Sequence, residues 1–529
     1  MLVSPLTMTD TCTLPKTTEE LQAIVKSVVT PYESQIEYLQ QRIKVLEKII
    51  FAPKSEKRRP DEGEGGSQLQ IFNEAEAIEE KKEEASLSIA EHTRQRPKRK
   101  PLPQDLPRVD VIHDIDESEK VCACGAQLSR IGEDVCEKLD IIPAKIQVIR
   151  HIRPKYACRN CEGVESDGPT VKIAPPPPQI IPKGIATPGL LAHVAVCKYA
   201  DALPLYRQEK IFERCGIELS RSTMAGWMLM VAQSCTPVMD LLYKELHAGP
   251  LINVDETPVQ VLNEPGRANT TKSYMWVFRG GPPEKPVLIY RYSPARSGEV
   301  PREVLQGYRG YCQTDAFSGY DGLEQAIEGI ELVGCFAHAR RNFVKVIDAR
   351  GKGATGKTGS AEVALGYIGQ LYRIEKAARG AGLSPSEIQR FRIDRAEPVL
   401  EEFKAWLETR KDQTPPQGLL GKAIRYTLSR WAKLVRYLEN GHITPDNNAA
   451  ENAIRPFVVG RKNWLFAGSP NGANAAATLY SLIETAKTCG LDPYQYLRLL
   501  FEKIPHAHTE SDYKAFLPEN VAADLPARL

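Results

Sequence analysis

Among the 67 acidic residues of this 529-residue chain, three stand out by their surroundings. Asp255 lies in Leu251-Ile252-Asn253-Val254-Asp255-Glu256-Thr257-Pro258, directly after an apolar run. Asp315 lies in Gly310-Tyr311-Cys312-Gln313-Thr314-Asp315-Ala316, at the end of another expected strand. Glu451 lies in Asn447-Asn448-Ala449-Ala450-Glu451-Asn452-Ala453-Ile454-Arg455-Pro456, on an expected helix capped by Asp446. A carboxylate that ends a buried strand sits at a sheet's edge, where a ligand crevice can form. Three carboxylates brought together repel unless cations neutralise them, and hard oxygen ligands suit Mg²⁺ or Mn²⁺. Two such ions about 4 Å apart can activate an attacking oxygen and stabilise a leaving one in phosphodiester chemistry. Each acid taken alone also reads as a surface acid or a helix cap. The strand contexts lift the two aspartates above that background, whereas Glu451 alone is a weak signal.

Thiolates form a second constellation. Cys122-x-Cys124-Gly125 is followed by Cys158-x-x-Cys161, and two turns that each present two thiolates can hold Zn²⁺ tetrahedrally. Reduced structural cysteines are the alternative. Cys335-x-x-His338 reads as a structural or DNA-facing pair rather than a metal site. Arg94, Arg96, Lys98, Arg99 and Lys100 follow an acidic stretch that includes Glu79, Glu80, Glu83 and Glu84; the basic run suits DNA phosphates or a solvated linker equally well. Arg455, Arg461 and Lys462 follow Glu451 at short range, where cations could hold DNA phosphates or simply be surface charge. Gly351-Lys352-Gly353-Ala354-Thr355-Gly356-Lys357-Thr358 satisfies the P-loop expression. A true P-loop follows a buried strand, and the preceding Phe343–Arg350 is half apolar and charged. The stretch therefore reads as a basic loop, with a Lys357-dependent ATPase as the rival.

The elements that must position these groups follow from periodicity and turn chemistry. Residues 1–53 carry a heptad seam, from Val25 through Ile36, Leu39, Ile43 and Leu46 to Ile50, with a fresh helix expected from Pro31. Residues 54–105 are a charged flexible linker, and 106–167 form the cysteine module. Residues 180–245 are helical: Thr187 caps a helix opened by Pro188, Leu205–Cys215 stops at Gly216, and Ser220 caps a third helix. The last two resemble a helix-turn-helix. Strands are expected at Leu251–Val261, Tyr274–Phe278, Val287–Tyr292, Tyr308–Thr314 and Leu332–Phe336, with a helical stretch at Tyr320–Ile330. The order of three strands, a short helix, a strand, a helix and a strand matches a ribonuclease-H-like core over 246–470, interrupted by a helical insertion at about 338–440. A C-terminal helical domain spans 471–529. The fold class is thus a multidomain α/β protein. Apolar residues make up 42% and charged residues 26%, with a net charge of +2; no run of eighteen apolar residues occurs, so a cytoplasmic protein without a membrane span is expected.

Four motifs carry a resemblance that covers nearly the whole chain: Val254-Asp255-Glu256-Thr257-Pro258, Thr314-Asp315-Ala316-Phe317-Ser318-Gly319-Tyr320, Cys335-Phe336-Ala337-His338-Ala339-Arg340-Arg341 and Asp446-Asn447-Asn448-Ala449-Ala450-Glu451-Asn452, the last continued from Arg455-Pro456-Phe457 to Gly460-Arg461-Lys462-Asn463-Trp464-Leu465-Phe466. With them the chain resembles transposases of the insertion-sequence-66 family of bacterial mobile elements. The resemblance implies a catalytic triad of Asp255, Asp315 and Glu451 holding Mg²⁺ or Mn²⁺, a ribonuclease-H-like core and a zinc module. It departs from the family at Cys122-x-Cys124, where the usual pair has two residues between its cysteines; Cys136 or His151 are substitutes. The implied reaction is metal-dependent cleavage and strand transfer at transposon ends. The implied partners are transposon-end and target DNA, a second copy of the chain and accessory proteins of the same element, in a bacterial cytoplasm and on the nucleoid when bound. The rival from another class is a zinc-bearing DNA-binding protein without activity.

Overall fold

The structure is a computed structural model, and it describes residues 146–157, 171–315, 317–350 and 359–522. The heptad helix, the linker with Arg94, Arg96, Lys98, Arg99 and Lys100, the cysteines Cys122, Cys124, Cys158 and Cys161, and the Gly351–Thr358 loop all lie outside the described residues. The chain divides into two compact units, of which the smaller is Lys81–Pro177. Its described part is an antiparallel pair, β1 (Lys155–Ala157) and β2 (Val171–Ile173), in the register Tyr156↔Lys172. In the sequence this pair brackets Cys158 and Cys161.

The larger unit opens with four helices, α1 (Pro188–Tyr199), α2 (Leu205–Arg214), α3 (Arg221–Ser234) and α4 (Thr236–Leu246). Their starts follow the expected chemistry: the Thr187 and Ser220 hydroxyls accept the N–H groups of Leu190 and Thr223, and Pro188 opens the first helix. Gly216 ends the turn after α2 at φ +76°, a conformation that costs glycine nothing.

The sheet follows. It comprises β3 (Leu251–Val261), β4 (Lys272–Gly280), β5 (Val287–Ser293), β6 (Gly310–Gln313) and β7 (Ile330–Val333) in the order β5-β4-β3-β6-β7, with the two-residue β8 (Phe466–Ala467) also pairing with β3. The first three strands run antiparallel to their neighbours, whereas β6 and β7 join β3 in parallel. The sheet is therefore mixed, and α5 (Glu299–Val304) and the short α6 (Leu323–Ala326) occupy the connections expected to hold helices. The expected 308–314 strand is trimmed to Gly310–Gln313, and the expected helix at 320–330 shrinks to a 3₁₀ turn plus α6. The last core strand ends at Val333, not Phe336, because the next residues are captured by distant partners. Gly334 N–H bonds to Lys433 O, and Phe336 N–H to Pro445 O.

Phe336 instead opens α7 (Phe336–Arg350), which ends directly before the glycine-rich segment 351–358 in the sequence. A helix, not a buried strand, thus precedes Gly351, and the P-loop reading loses the element it requires. The insertion continues through α8 (Ser360–Gly380), α9 (Pro385–Asp412), α10 (Leu419–Ser429) and α11 (Trp431–Val435). These helices bury their own core, which includes Phe343, Ile368, Phe403, Leu407 and Tyr437. The chain then returns as α12 (Asn448–Trp464), which packs across β3 and β4, and α13 (Pro470–Thr488), which packs along β5. The helices α14 (Pro493–Lys503), α15 (Glu510–Lys514) and α16 (Pro518–Val521) complete the described chain. None of the described helices is long and apolar enough to cross a membrane.

Candidate active site

The parallel ladder between β3 and β6 contains three pairs and ends at Asn253↔Gln313. Asp255 and Asp315 each lie two residues beyond that last pair. β3 has the expected bounds and continues past Asp255 on its β4 side, so the aspartate ends only the pairing with β6. Pro258 falls between the β6 and β8 ladders, where β3 has no neighbour on that side, and so its missing N–H costs no bond there. The opening beside β3 is where the two aspartates stand.

A buried amide network closes the base of that opening. Asn253 Nδ2 donates to Gln313 Oε1 at 2.9 Å and to Asn447 Oδ1 at 3.1 Å. Asn447 Nδ2 donates to Val254 O at 2.8 Å, and Gln313 Nε2 donates to Thr444 O at 2.7 Å. All three amide residues are buried. Asn447 is the residue before α12, so the network ties that helix's start to both aspartate strands. The expected cap Asp446 sits one residue earlier, and its Oδ1 accepts the N–H of Asn448 at 3.1 Å. Glu451 then projects from the first turn of α12, where the helix dipole favours a negative charge.

Asp255, Asp315 and Glu451, which are far apart in the sequence, act on one another's charge. Desolvation pushes the Asp255 carboxyl well above the usual carboxylate range, and the charges of Glu256, Glu451 and Asp315 push it the same way. Burial raises Glu451 to about 7; Asp446 and Asp315 add to the rise, and Arg341 and Arg455 oppose it. Asp315 Oδ1 accepts the N–H of Phe317 at 2.8 Å, which fixes one of its oxygens.

Several participants escaped the sequence reading. Glu256, beside Asp255, is held by Arg296 Nε at 2.6 Å and by the Tyr320 hydroxyl at 2.6 Å. Arg296 also reaches Asp315 Oδ2 at 3.7 Å and lies 3.8 Å above the Phe317 ring. Glu256, Phe317 and Tyr320 were inside the quoted motifs and could have been singled out there; Arg296 carried no local signal. Cys335 and His338, read as structural or DNA-facing, stand next to Glu451: His338 Nδ1 is 4.0 Å from Glu451 Oε1. Of the cations after Glu451, Arg455 acts on its charge, Arg461 donates to Thr257 Oγ1 at 3.0 Å, and Lys462 is exposed. Asp315 also lines a small cleft, together with Tyr320, Asp321, Cys335, Tyr426, Arg430 and Lys433.

Comparison with known proteins supplies the family. A profile of the Transposase IS66 family matches residues 183–475, and one of the zinc-finger binding domain of transposase IS66 matches 119–162. The IS66 C-terminal element matches 481–518, and the profile described as Transposase C of IS166 homeodomain matches 38–111. The chain is 37% identical to the uncharacterized protein y4jD of Sinorhizobium fredii over 437 residues, 80% of this chain and 82% of that one. It is 32% identical to the uncharacterized protein y4qI of the same organism over 95% of this chain and 92% of that one. With a family profile over more than half of its length, and with relatives at least 32% identical over 80% or more of it, this chain belongs to the IS66 family of transposases.

Proposed function

We propose that this transposase cleaves and joins DNA strands with Asp255, Asp315 and Glu451 acting together on divalent metal ions. The observation that carries this reading is the register: both aspartates lie two residues past the end of the β3–β6 ladder, and Asn447 ties the Glu451 helix into that same ladder. The strand order β5-β4-β3-β6-β7, with three antiparallel and then two parallel members, supports a ribonuclease-H-like core interrupted by α7–α11.

The donor set fits Mg²⁺ or Mn²⁺. Its groups are hard carboxylate oxygens whose mutual repulsion and desolvation raise the Asp255 and Glu451 carboxyls, and bound cations would relieve that cost. When bound, such ions activate the attacking oxygen and stabilise the leaving one. The chain's own residues do the remaining work. Phe317 N–H orients Asp315, Arg296 and Tyr320 hold the Glu256 carboxylate, and the amide network fixes the spacing of the strands and α12. Water or a DNA 3′-hydroxyl would attack phosphorus in line, with no covalent enzyme intermediate.

DNA is the expected partner. Arg455, Arg461 and Lys462 on α12 are candidates for phosphates beside the acids, and Arg94, Arg96, Lys98, Arg99 and Lys100 for contacts that ignore sequence. In the α2–α3 pair, the exposed first turn of α3 (Arg221, Ser222, Thr223) is the face expected to meet base edges. Zn²⁺ is assigned to the N-terminal zinc-finger domain, with Cys122, Cys124, Cys158 and Cys161 as the proposed ligands. Two DNA ends call for at least two copies of the chain at work together, and proteins of the same element are candidate helpers.

The test separates binding from chemistry. Asp255→Asn, Asp315→Asn and Glu451→Gln should each abolish Mg²⁺-dependent cleavage of end-bearing DNA while gel-shift affinity for that DNA stays near wild type. A variant of any of the three that cleaves at the wild-type rate removes that residue from the set.

A further inference from the structure

One more cluster of metal-ligating side chains occurs among the described residues, and it overlaps the acid site at a single residue. Cys335, His338 and Glu451 each offer one ligand atom, and the three atoms lie within 4.8 Å of one another. Two helix starts converge to make this cluster. Cys335 immediately precedes α7, with His338 within that helix's first turn, while Glu451 is in the first turn of α12.

Two opposing influences act on the sulfur: burial and the Asp446 and Glu451 carboxyls push the Cys335 thiol up, while backbone N–H groups aimed at it work the other way. Cys335 is buried, and its Sγ accepts the Asn447 backbone N–H at 3.2 Å and that of His338 as well. N–H groups aimed at a sulfur stabilise a thiolate, the form that binds metals. His338 Nδ1 is buried without a hydrogen-bond partner, and Glu451 Oε1 lies 4.0 Å from it. Arg341 acts on both His338 and Glu451, and its own Nε has no hydrogen-bond partner. It occupies the role of a loosely held countercation.

We propose that Cys335, His338 and Glu451 bind a zinc ion at this corner of the active site. The mixed sulfur, nitrogen and oxygen set is poorly matched to Mg²⁺ or Ca²⁺ and well matched to zinc. Tetrahedral zinc with bonds of about 2.0–2.3 Å holds its ligand atoms roughly 3.3–3.6 Å apart. The three ligand atoms lie within 4.8 Å of one another, so a closure of about 1 Å brings them into that range. Three protein ligands leave a fourth position for water or a phosphate oxygen. Asp315 acts on both His338 and Glu451, so the ion would lie beside the acid triad and draw on the same glutamate. The proposal shares Glu451 with the triad reading but does not require it.

The experiment uses the full chain carrying Cys158→Ser and Cys161→Ser, so that the N-terminal zinc finger no longer contributes. Titration with Zn²⁺ against a chromophoric chelator, and with Co²⁺ followed by its absorption, should show about one equivalent bound, with a thiolate-to-cobalt charge-transfer band. Adding His338→Ala or Cys335→Ser should weaken zinc binding on the order of 100-fold, and Cys335→Ser should also erase the charge-transfer band. Asp255→Asn should leave the affinity within about threefold of its parent. If Cys335→Ser fails to fold by circular dichroism, His338→Ala decides alone. A folded parent that binds no zinc at tens of micromolar overturns the proposal, as does binding unaffected by His338→Ala. Loss of cleavage in Asp255→Asn with zinc binding intact supports both readings, and unchanged cleavage in that variant sinks the triad while leaving the zinc site standing.

Discussion

In the helical insertion, Arg392 is fully buried and all five of its N–H donors are engaged. Two meet the Glu375 carboxylate at 2.8 and 2.9 Å, and the other three meet the carbonyls of Tyr437, Asn440 and Ile443 at 2.6–2.9 Å. At the acid site, Asp255, Asp315 and Glu451 share one region with like charges, and the cations nearby are spent elsewhere or only graze it: Arg296 is committed chiefly to Glu256. Both regions take charge out of water. At Arg392 the charge is answered in full, so the arrangement holds the return segment 437–443 that leads into Asn447 and Glu451. At the acid site the deficit of positive charge is left open, and an open deficit is an affinity for cations. The molecule thus uses a compensated buried charge to fix geometry and an uncompensated one to bind.

The sharpest way to break this contrast is at the acids. Asp255→Asn should lower cleavage by at least about 10³-fold, and combining it with Glu451→Gln should add little, because the groups act as a unit. The same substitution should leave the urea midpoint unchanged or raise it, since it removes a desolvated like charge. A fall in that midpoint comparable with the loss of activity would mean that the acids hold the fold together.

The opposite signature is expected at Arg392. Arg392→Met strands Glu375 and three carbonyls, and should cost about 3–5 kcal/mol of stability in urea unfolding. A cost below about 1 kcal/mol would show that the insertion does not depend on its buried pair.

Between these extremes stands the amide network. Asn447→Ala leaves Asn253 and the Val254 carbonyl without their partner, and about 1–3 kcal/mol of stability should go with it. Because the network spaces the acids, cleavage should fall more than the stability loss explains. Cleavage preserved at a temperature where the variant is fully folded would remove its positioning role.

The smallest effect is expected at Asp321, which is half exposed and bonded to Arg430 and to Lys433 at 3.2 Å. These partners lower its carboxyl below the usual value. A depressed carboxylate stabilises the fold above its unfolded pKa, and that contribution is lost as the pH falls through the folded pKa. Asp321→Asn should therefore cost less than about 1 kcal/mol at pH 7, and the difference from wild type should vanish between about pH 4 and pH 2. A difference that persists at pH 2 would assign the effect to something other than charge.

Much of this was legible in the sequence because it is local. Thr187-Pro188 and Ser220 announced their helices, an apolar, β-prone run announced β3, and the motifs around Asp255, Asp315 and Glu451 carried the family. Boundaries failed where a distant partner decided them, as at Gly334 and Phe336, which bond to Lys433 and Pro445 about a hundred residues away. The Cys335–His338 pair was visible as a motif, but nothing nearby in the chain revealed that Glu451 would complete it.

The sequence by itself determined the kinds of element, their order and the acids to watch, since propensity, capping and period depend on neighbours along the chain. Only the tertiary structure decided that the β3–β6 register sets Asp255 level with Asp315, that Asn447 locks α12 into that register, and that Arg392 holds the path by which the insertion returns. Those outcomes rest on pairings between residues as far apart as Asn253 and Asn447, 194 positions, whose energies exist only once the intervening chain has folded.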